Sequence, residues 1–125
     1  MSGWPFISRD GHWLVRVNRE NLQVMRFSGG SWISVASGSG DQFAISPDGN
    51  WVYFDAKDSD GKQGLFRVAT SGGDRERVGD FPVQGGVGSL RISPDGRKII
   101  AAVYDSAHAF ETWTLENFTS AVARQ

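Results

Sequence analysis

Aspartate recurs along this chain where it could bind a metal or move protons: Asp10, Asp48 and Asp95 each precede a glycine, and Asp55, Asp58 and Asp60 crowd ahead of Gly61. The stretch Asp58-Ser59-Asp60-Gly61 has the Asp-x-Asp-Gly core of a calcium loop. It lacks the regular ligand alternation and the distal bidentate Glu that such a loop needs, so it reads as a solvated hairpin. The two histidines, His12 and His108, lie too far apart in non-equivalent places to form a metal pair. Serines are plentiful, but neither a Gly-x-Ser-x-Gly elbow nor a Ser-x-x-Lys pair is present, so nucleophilic catalysis has no motif. Gly85-Gly86-Val87-Gly88 precedes a strand and has no following Lys-Ser/Thr, which makes it a crossing rather than a phosphate loop. No metal site and no cofactor are expected.

The three Asp-Gly pairs belong to one phrase met three times: Ile7-Ser8-Arg9-Asp10-Gly11, Ile45-Ser46-Pro47-Asp48-Gly49 and Ile92-Ser93-Pro94-Asp95-Gly96, starting 38 and then 47 residues apart. That spacing belongs to solenoids, propellers or arrays. Asp before Gly in a tight turn bonds nearby amides while Gly accepts positive φ, so Asp10, Gly11, Asp48, Gly49, Asp95 and Gly96 read as turn residues that each repeat needs equally. The run after each phrase is short, β-branched and aromatic, bounded by Gly, Asp, Asn and Ser, which is strand chemistry. Several runs are apolar on both faces and suit strands sandwiched between sheets.

The middle repeat predicts strands over Phe43 to Ser46, Trp51 to Ala56, Leu65 to Thr70 and Glu76 to Phe81. The first repeats the plan over Trp4 to Ser8, Trp13 to Val17, Leu22 to Phe27 and Trp32 to Ala36. The third offers three clear strands, Ser89 to Ser93, Lys98 to Tyr104 and Glu111 to Phe118. The fold class is therefore all-β: tandem four-stranded antiparallel β-propeller blades, about three, in an incomplete or oligomer-completed propeller. The blades run over about 4–37, 42–82 and 88–125, within a single domain.

The Ile-Ser-Pro-Asp-Gly phrase, a hydrophobic second strand, a polar hairpin and a third strand such as Gly64-Leu65-Phe66-Arg67-Val68 before Ser-Gly-Gly together resemble the TolB-like branch of WD-like propeller repeats. The resemblance covers nearly the whole chain. Glu111 to Phe118 also resembles the closing strand of large bacterial TolB-like proteins, which makes the chain look like the C-terminal half of a propeller. The same blades serve in periplasmic TolB proteins, in gating propellers of prolyl-oligopeptidase-like peptidases and in sensor domains. The resemblance thus implies a non-enzymatic module for protein interaction or ligand sensing, with a periplasmic setting. The alternatives are an accessory propeller of a serine peptidase whose catalytic domain is absent here, or a purely structural assembly module.

Thirteen basic against fourteen acidic side chains, with no basic stripe, remove the generic electrostatic route to nucleic acid or anionic membranes. No apolar run approaches the length of a membrane span, and Met1-Ser2-Gly3-Trp4 is too quickly β for a signal peptide. Absence of cysteine excludes disulfides without choosing a compartment. The five tryptophans, Trp4, Trp13, Trp32, Trp51 and Trp113, read as packing between blades.

Strands that alternate in direction put the d-to-a crossings and b-to-c hairpins on one rim, and a protein or peptide partner would meet Asp41, Gln42, Asp58, Asp60, Gln84, Asp105, His108 and Glu111 there. Three blades would leave the first and last with bare apolar faces. A homodimer closing a six-bladed ring, or the missing half of a larger propeller, is the expected remedy.

Overall fold

Each copy of the repeated phrase closes a tight turn between the first two strands of an antiparallel sheet. The computed structural model describes residues 4–81, 86–104 and 111–116. The first sheet holds β1 (Phe6–Ile7), β2 (Trp13–Asn18), β3 (Asn21–Arg26) and β4 (Ile33–Ala36). The second holds β5 (Ser39–Ile45), β6 (Trp51–Lys57), β7 (Gln63–Ala69) and β8 (Glu76–Gly79). In both, neighbours in sequence are neighbours in the sheet. The third sheet orders β9 (Gly86–Ile92), β10 (Lys98–Tyr104) and β11 (Glu111–Glu116) in the same way among the described residues. The expected tail strand, Thr119 to Arg124, lies outside the described residues. No described helix is long and apolar enough to cross a membrane.

The first strand of each blade is longer or shorter than the pattern suggested. β5 begins at Ser39, inside the expected crossing, because Ser39 pairs with Ala56 and a bulge between Ser39 and Phe43 absorbs the intervening residues. β9 likewise begins at Gly86, with its own irregularity opposite Ala102 and Val103. β1 shrinks to Phe6–Ile7.

Two separate cores lie between the blades. Val15, Val17, Leu22 and Val24 of the first blade meet Val52, Phe54, Phe66 and Val68 of the second. On the other side Tyr53, Leu65 and Val78 meet Leu90, Ile99, Ala101 and Val103 of the third. The middle blade is therefore buried on both faces and β7 is buried along nearly its whole length, whereas β2 and β3 alternate.

The outer face of the first blade departs from the bare apolar surface expected there. Arg16 stands three residues past Trp13, where Phe54 stands three past Trp51, and its cross-strand partner Gln23 occupies the place of Phe66. Phe54 and Phe66 stack at 6.2 Å. Arg16 instead donates from Nε to Gln23 Oε1 at 2.9 Å, Gln23 donates to Ser34 Oγ, and the guanidinium lies 4.0 Å over Trp32. Ile7, Leu14 and Met25 share this face as an apolar row. On the third blade, Arg91, Ile100 and Thr114 form one outward row, and Lys98 pairs with Glu116 at 3.4 Å.

Of the tryptophans, Trp13 and Trp51 pack against the two cores as expected. Trp32 does not: it lies under Arg16 on the outer side. Trp4 is 85% exposed and packs between no blades, since it precedes the short β1.

Candidate functional site

The turn between the first two strands is the same hydrogen-bonded knot in all three blades. Ser46 Oγ donates to Asp48 Oδ1 at 2.6 Å and accepts the Trp51 N–H at 3.0 Å, while Asp48 Oδ1 also accepts the Asn50 N–H. Ser8, Asp10 and Trp13 repeat these bonds, as do Ser93, Asp95 and Lys98. Gly11, Gly49 and Gly96 close the turns with φ between +74° and +81°. The serine hydroxyls hold the carboxyls of Asp10, Asp48 and Asp95 below the usual carboxylate range, helped by the backbone N–H two residues on.

One of these turns gathers serine, aspartate and histidine, since His12 Nδ1 lies 3.4 Å from Asp10 Oδ2. The order is wrong for a nucleophile. The carboxylate stands between hydroxyl and imidazole, so His12 is not placed to take the Ser8 proton, as a catalytic triad requires. The other two blades make the same Ser-Asp bond with no histidine, which marks it as turn architecture.

The opposite rim is built differently. Asn18 pairs with Asn21, so Arg19 and Glu20 form a two-residue hairpin with both φ values positive, +52° and +66°. Glycine and asparagine are the usual occupants of such a turn. The Glu20 carbonyl accepts the Ser39 N–H at 3.0 Å and ties this hairpin to the crossing into the second blade. Around that tie lies a cavity of about 640 Å³ lined by Glu20, Gly38, Ser39, Gly40, Asp55, Lys57 and Gln63 among others.

Asp55 is the unusual member of the cavity wall. Its position, four past Trp51, is filled by Val17 in the first blade and Ala102 in the third. Its carboxylate fits because residue 40 is glycine: a Cβ there would meet Asp55 Oδ2 at 2.3 Å and Oδ1 at 2.6 Å. The Gln42 backbone N–H donates to the carboxylate, yet Oδ1 is buried with no hydrogen-bond partner among the described residues. Burial, reinforced by the charge of Asp41, pushes this carboxyl up to about 6. The solvated hairpin expected for the acidic run is therefore corrected at its first member. Asp55 lies on β6, with one oxygen out of water.

The residues singled out on this rim fall in three places. Asp41 and Gln42 sit on the bulged part of β5, facing a groove of about 690 Å³ along β1, β5 and β9, where Phe6 meets Phe43 edge-on at 5.5 Å. Asp58 holds its own hairpin, its Oδ1 accepting the Asp60 and Lys62 N–H groups and its Oδ2 lying 3.3 Å from Arg77. Arg77 also pairs with Asp80 at 2.6 Å. Asp60 is exposed beside Asp58. Gln84, Asp105 and His108 lie outside the described residues, and Glu111 opens β11. Among the described residues no group of three or more His, Asp or Glu is arranged to hold a metal. Sequence reading missed Glu20, Ser39 and Gly40. The one available signal was Asp55 interrupting a strand position that is apolar in the other two repeats.

Antiparallel sheets packed face to face in series, each with its strands in chain order, are the geometry to set beside known proteins. The chain matches no family model and no curated protein. Among solved structures it superposes on TolB from Acinetobacter baumannii with a TM-score of 0.74, over 94% of this chain and 30% of that one, at 20% identity. TolB from Agrobacterium tumefaciens gives 0.73, over 93% and 42%, also at 20% identity. The fold is a TolB-like β-propeller segment. The propeller domain of the Trilobed protease from Pyrococcus furiosus also matches, with a TM-score of 0.67 over 94% of this chain and 39% of that one, at 12% identity. The segment spans less than half the length of each of these chains, and at such identities the likeness is one of fold. As a propeller module it has two chemically distinct rims, one closed by Ser-Asp knots and one opening on the Asp55 cavity.

Proposed function

We propose that this propeller segment is a non-enzymatic module that binds a protein or peptide at the rim formed by the inter-blade crossings and the second-to-third-strand hairpins. One observation carries the reading. At the opposite rim the repeated Ser and Asp side chains are consumed in turn bonds, whereas here Glu20 of the first blade and Asp55 of the second line one cavity, and Asp55 Oδ1 has no hydrogen-bond partner among the described residues. We assign Asp41 and Gln42 on the neighbouring groove, Asp58 and Asp60 on the hairpin, and Gln84, Asp105, His108 and Glu111 to the same partner contact. The misordered Ser8, Asp10 and His12 support the absence of catalysis. A homodimer, or the missing blades of a larger propeller, supplies neighbours for the outer faces. The periplasm is the setting that goes with the TolB-like fold.

A gating propeller of a peptidase is the second reading, favoured by likeness to the Trilobed protease domain. The rim partner would then be a catalytic domain.

Photo-crosslinkers at Glu20 and Asp60, against controls at Asn50 and Arg97 on the other rim, test the reading. Protein adducts confined to the first pair are expected; adducts confined to the second pair, or equal at both, would overturn it. Peptidase or esterase turnover abolished by one substitution in this chain would overturn its non-enzymatic part.

A further inference from the structure

The Asp55 cavity carries a more specific chemistry than a general rim. Three observations meet there. A carboxylate stands where the other blades carry Val17 and Ala102, so the blade fold does not require it. Gly40 leaves the room it occupies, and a side chain there would collide with both its oxygens. Its Oδ1 is buried without a donor among the described residues, a state that costs free energy unless a partner supplies one.

The charges around it favour a cation. Glu20 from the neighbouring blade's hairpin and Asp55 share the cavity with one base, Lys57, and Asp41 adds a further negative charge from the bulged strand. Glu20 is held in place by the tie from its carbonyl to Ser39. The shape of the acceptor then separates the two common cations. A guanidinium grips a carboxylate through two parallel bonds to both oxygens. The Gln42 N–H already takes one of this carboxylate's acceptor sites, which favours a donor that needs a single oxygen over one that needs both in parallel. An ammonium is a compact point charge with three rotatable donors and needs one oxygen.

We propose that this cavity seats a primary ammonium group, a lysine side chain of the partner polypeptide, against Asp55 with Glu20 at its mouth. The proposal rests on the rim reading above and names the chemistry of its partner.

Titration of the isotope-labelled chain with acetyl-Gly-Lys-Gly-amide, followed by amide shifts, tests it. Saturable shifts are expected at Gly38, Ser39 and Gly40. Binding should weaken about tenfold or more for the Nε-acetyl-lysine peptide, for the arginine peptide and for the chain carrying Asp55→Asn. It should also weaken from pH 7.5 to pH 5 as the Asp55 carboxyl takes a proton. Glu20→Gln, on an exposed hairpin, gives a second variant with a several-fold loss if Asp55→Asn does not fold. Equal shifts with acetyl-lysine, undiminished binding in both variants, or saturable shifts by calcium alone at the same amides would overturn the proposal. Rim crosslinks that persist while the lysine peptide is silent would overturn it and leave the rim reading intact; loss of the rim crosslinks themselves would overturn both.

Discussion

The carboxylate of Asp10 fills the space that a side chain on Gly49 would need, a Cβ there meeting Asp10 Oδ2 at 2.2 Å. Asp10 belongs to the turn of the first blade and Gly49 to that of the second, so the repeated phrase packs on its own next copy. Pro47 stands in a looser relation to Gly96 of the third blade, at 3.5 Å from its Cβ position. The Asp10 carboxylate cannot swing aside freely, because Ser8 and the His12 N–H hold it.

Gly49→Ala is therefore expected to destabilise by about 2–4 kcal/mol, positive φ and the collision acting together. Gly11→Ala has the same φ sign but open space around its Cβ, and should cost about 1–2 kcal/mol. Urea unfolding measures both. Repeating Gly49→Ala in an Asp10→Ala background should recover part of the difference, and no recovery would mean that the two turns do not bear on each other.

Ser46 is the buried centre of the middle knot, bonded to Asp48 and to the Trp51 N–H. Ser46→Ala should cost about 1–2 kcal/mol and Asp48→Ala about 1 kcal/mol, the scale of a lost cap. The double variant should lose less than the sum, since both remove the same bond. Neither should alter rim crosslinking at temperatures where the chain stays folded; rim binding lost at an unchanged melting temperature would assign Asp48 a functional part.

Stability should peak in mildly acid solution. Asp10, Asp48 and Asp95 have carboxyls held low in the folded state, so what they contribute is present above their unfolded value of 3.8 and is lost as pH falls below it. Asp55 acts in the opposite sense. Its carboxyl is raised to about 6, so its contribution is present below 3.8 and is lost as pH rises through about 6. Asp55→Asn should flatten the neutral side of the profile, stabilising by about 1–2 kcal/mol at pH 7.5 after allowance for its partly exposed carboxylate, with little change at pH 4. Melting temperatures across pH 3–8 read this directly. Destabilisation at pH 7.5 would show that the ionised carboxylate is satisfied in the free protein.

The polar ladder on the first blade limits how far that face can pack on another. Arg16→Phe with Gln23→Phe restores the pair that Phe54 and Phe66 form at the buried interface. Light scattering on the purified chain should show self-association strengthened about tenfold or more in this variant. An unchanged mass at all concentrations would mean that this face meets no second copy.

The repeated phrase, its spacing and the β-prone runs behind it were enough to determine the blades, because turn chemistry and strand propensity are local: Ser46, Asp48 and Gly49 make their bonds within five residues of one another. The likeness to TolB-like propellers was legible for the same reason. Which faces meet was harder. That Arg16 and Gln23 cap an outer surface, while Phe54 and Phe66 fill a core, depends on which side of each sheet finds a neighbour, and a strand carries both kinds of side chain with equal ease. Of the cavity, only Asp55 left a trace, as a carboxylate at a strand position that is apolar in the other two repeats. Glu20, Gly40 and Asp55 lie on three different strands or turns, and only the bulge after Ser39 and the packing of one blade on the next bring a hairpin, a missing side chain and a lone carboxylate to one place. Local bonds can be read from the order of residues; a shared cavity between blades is set by packing.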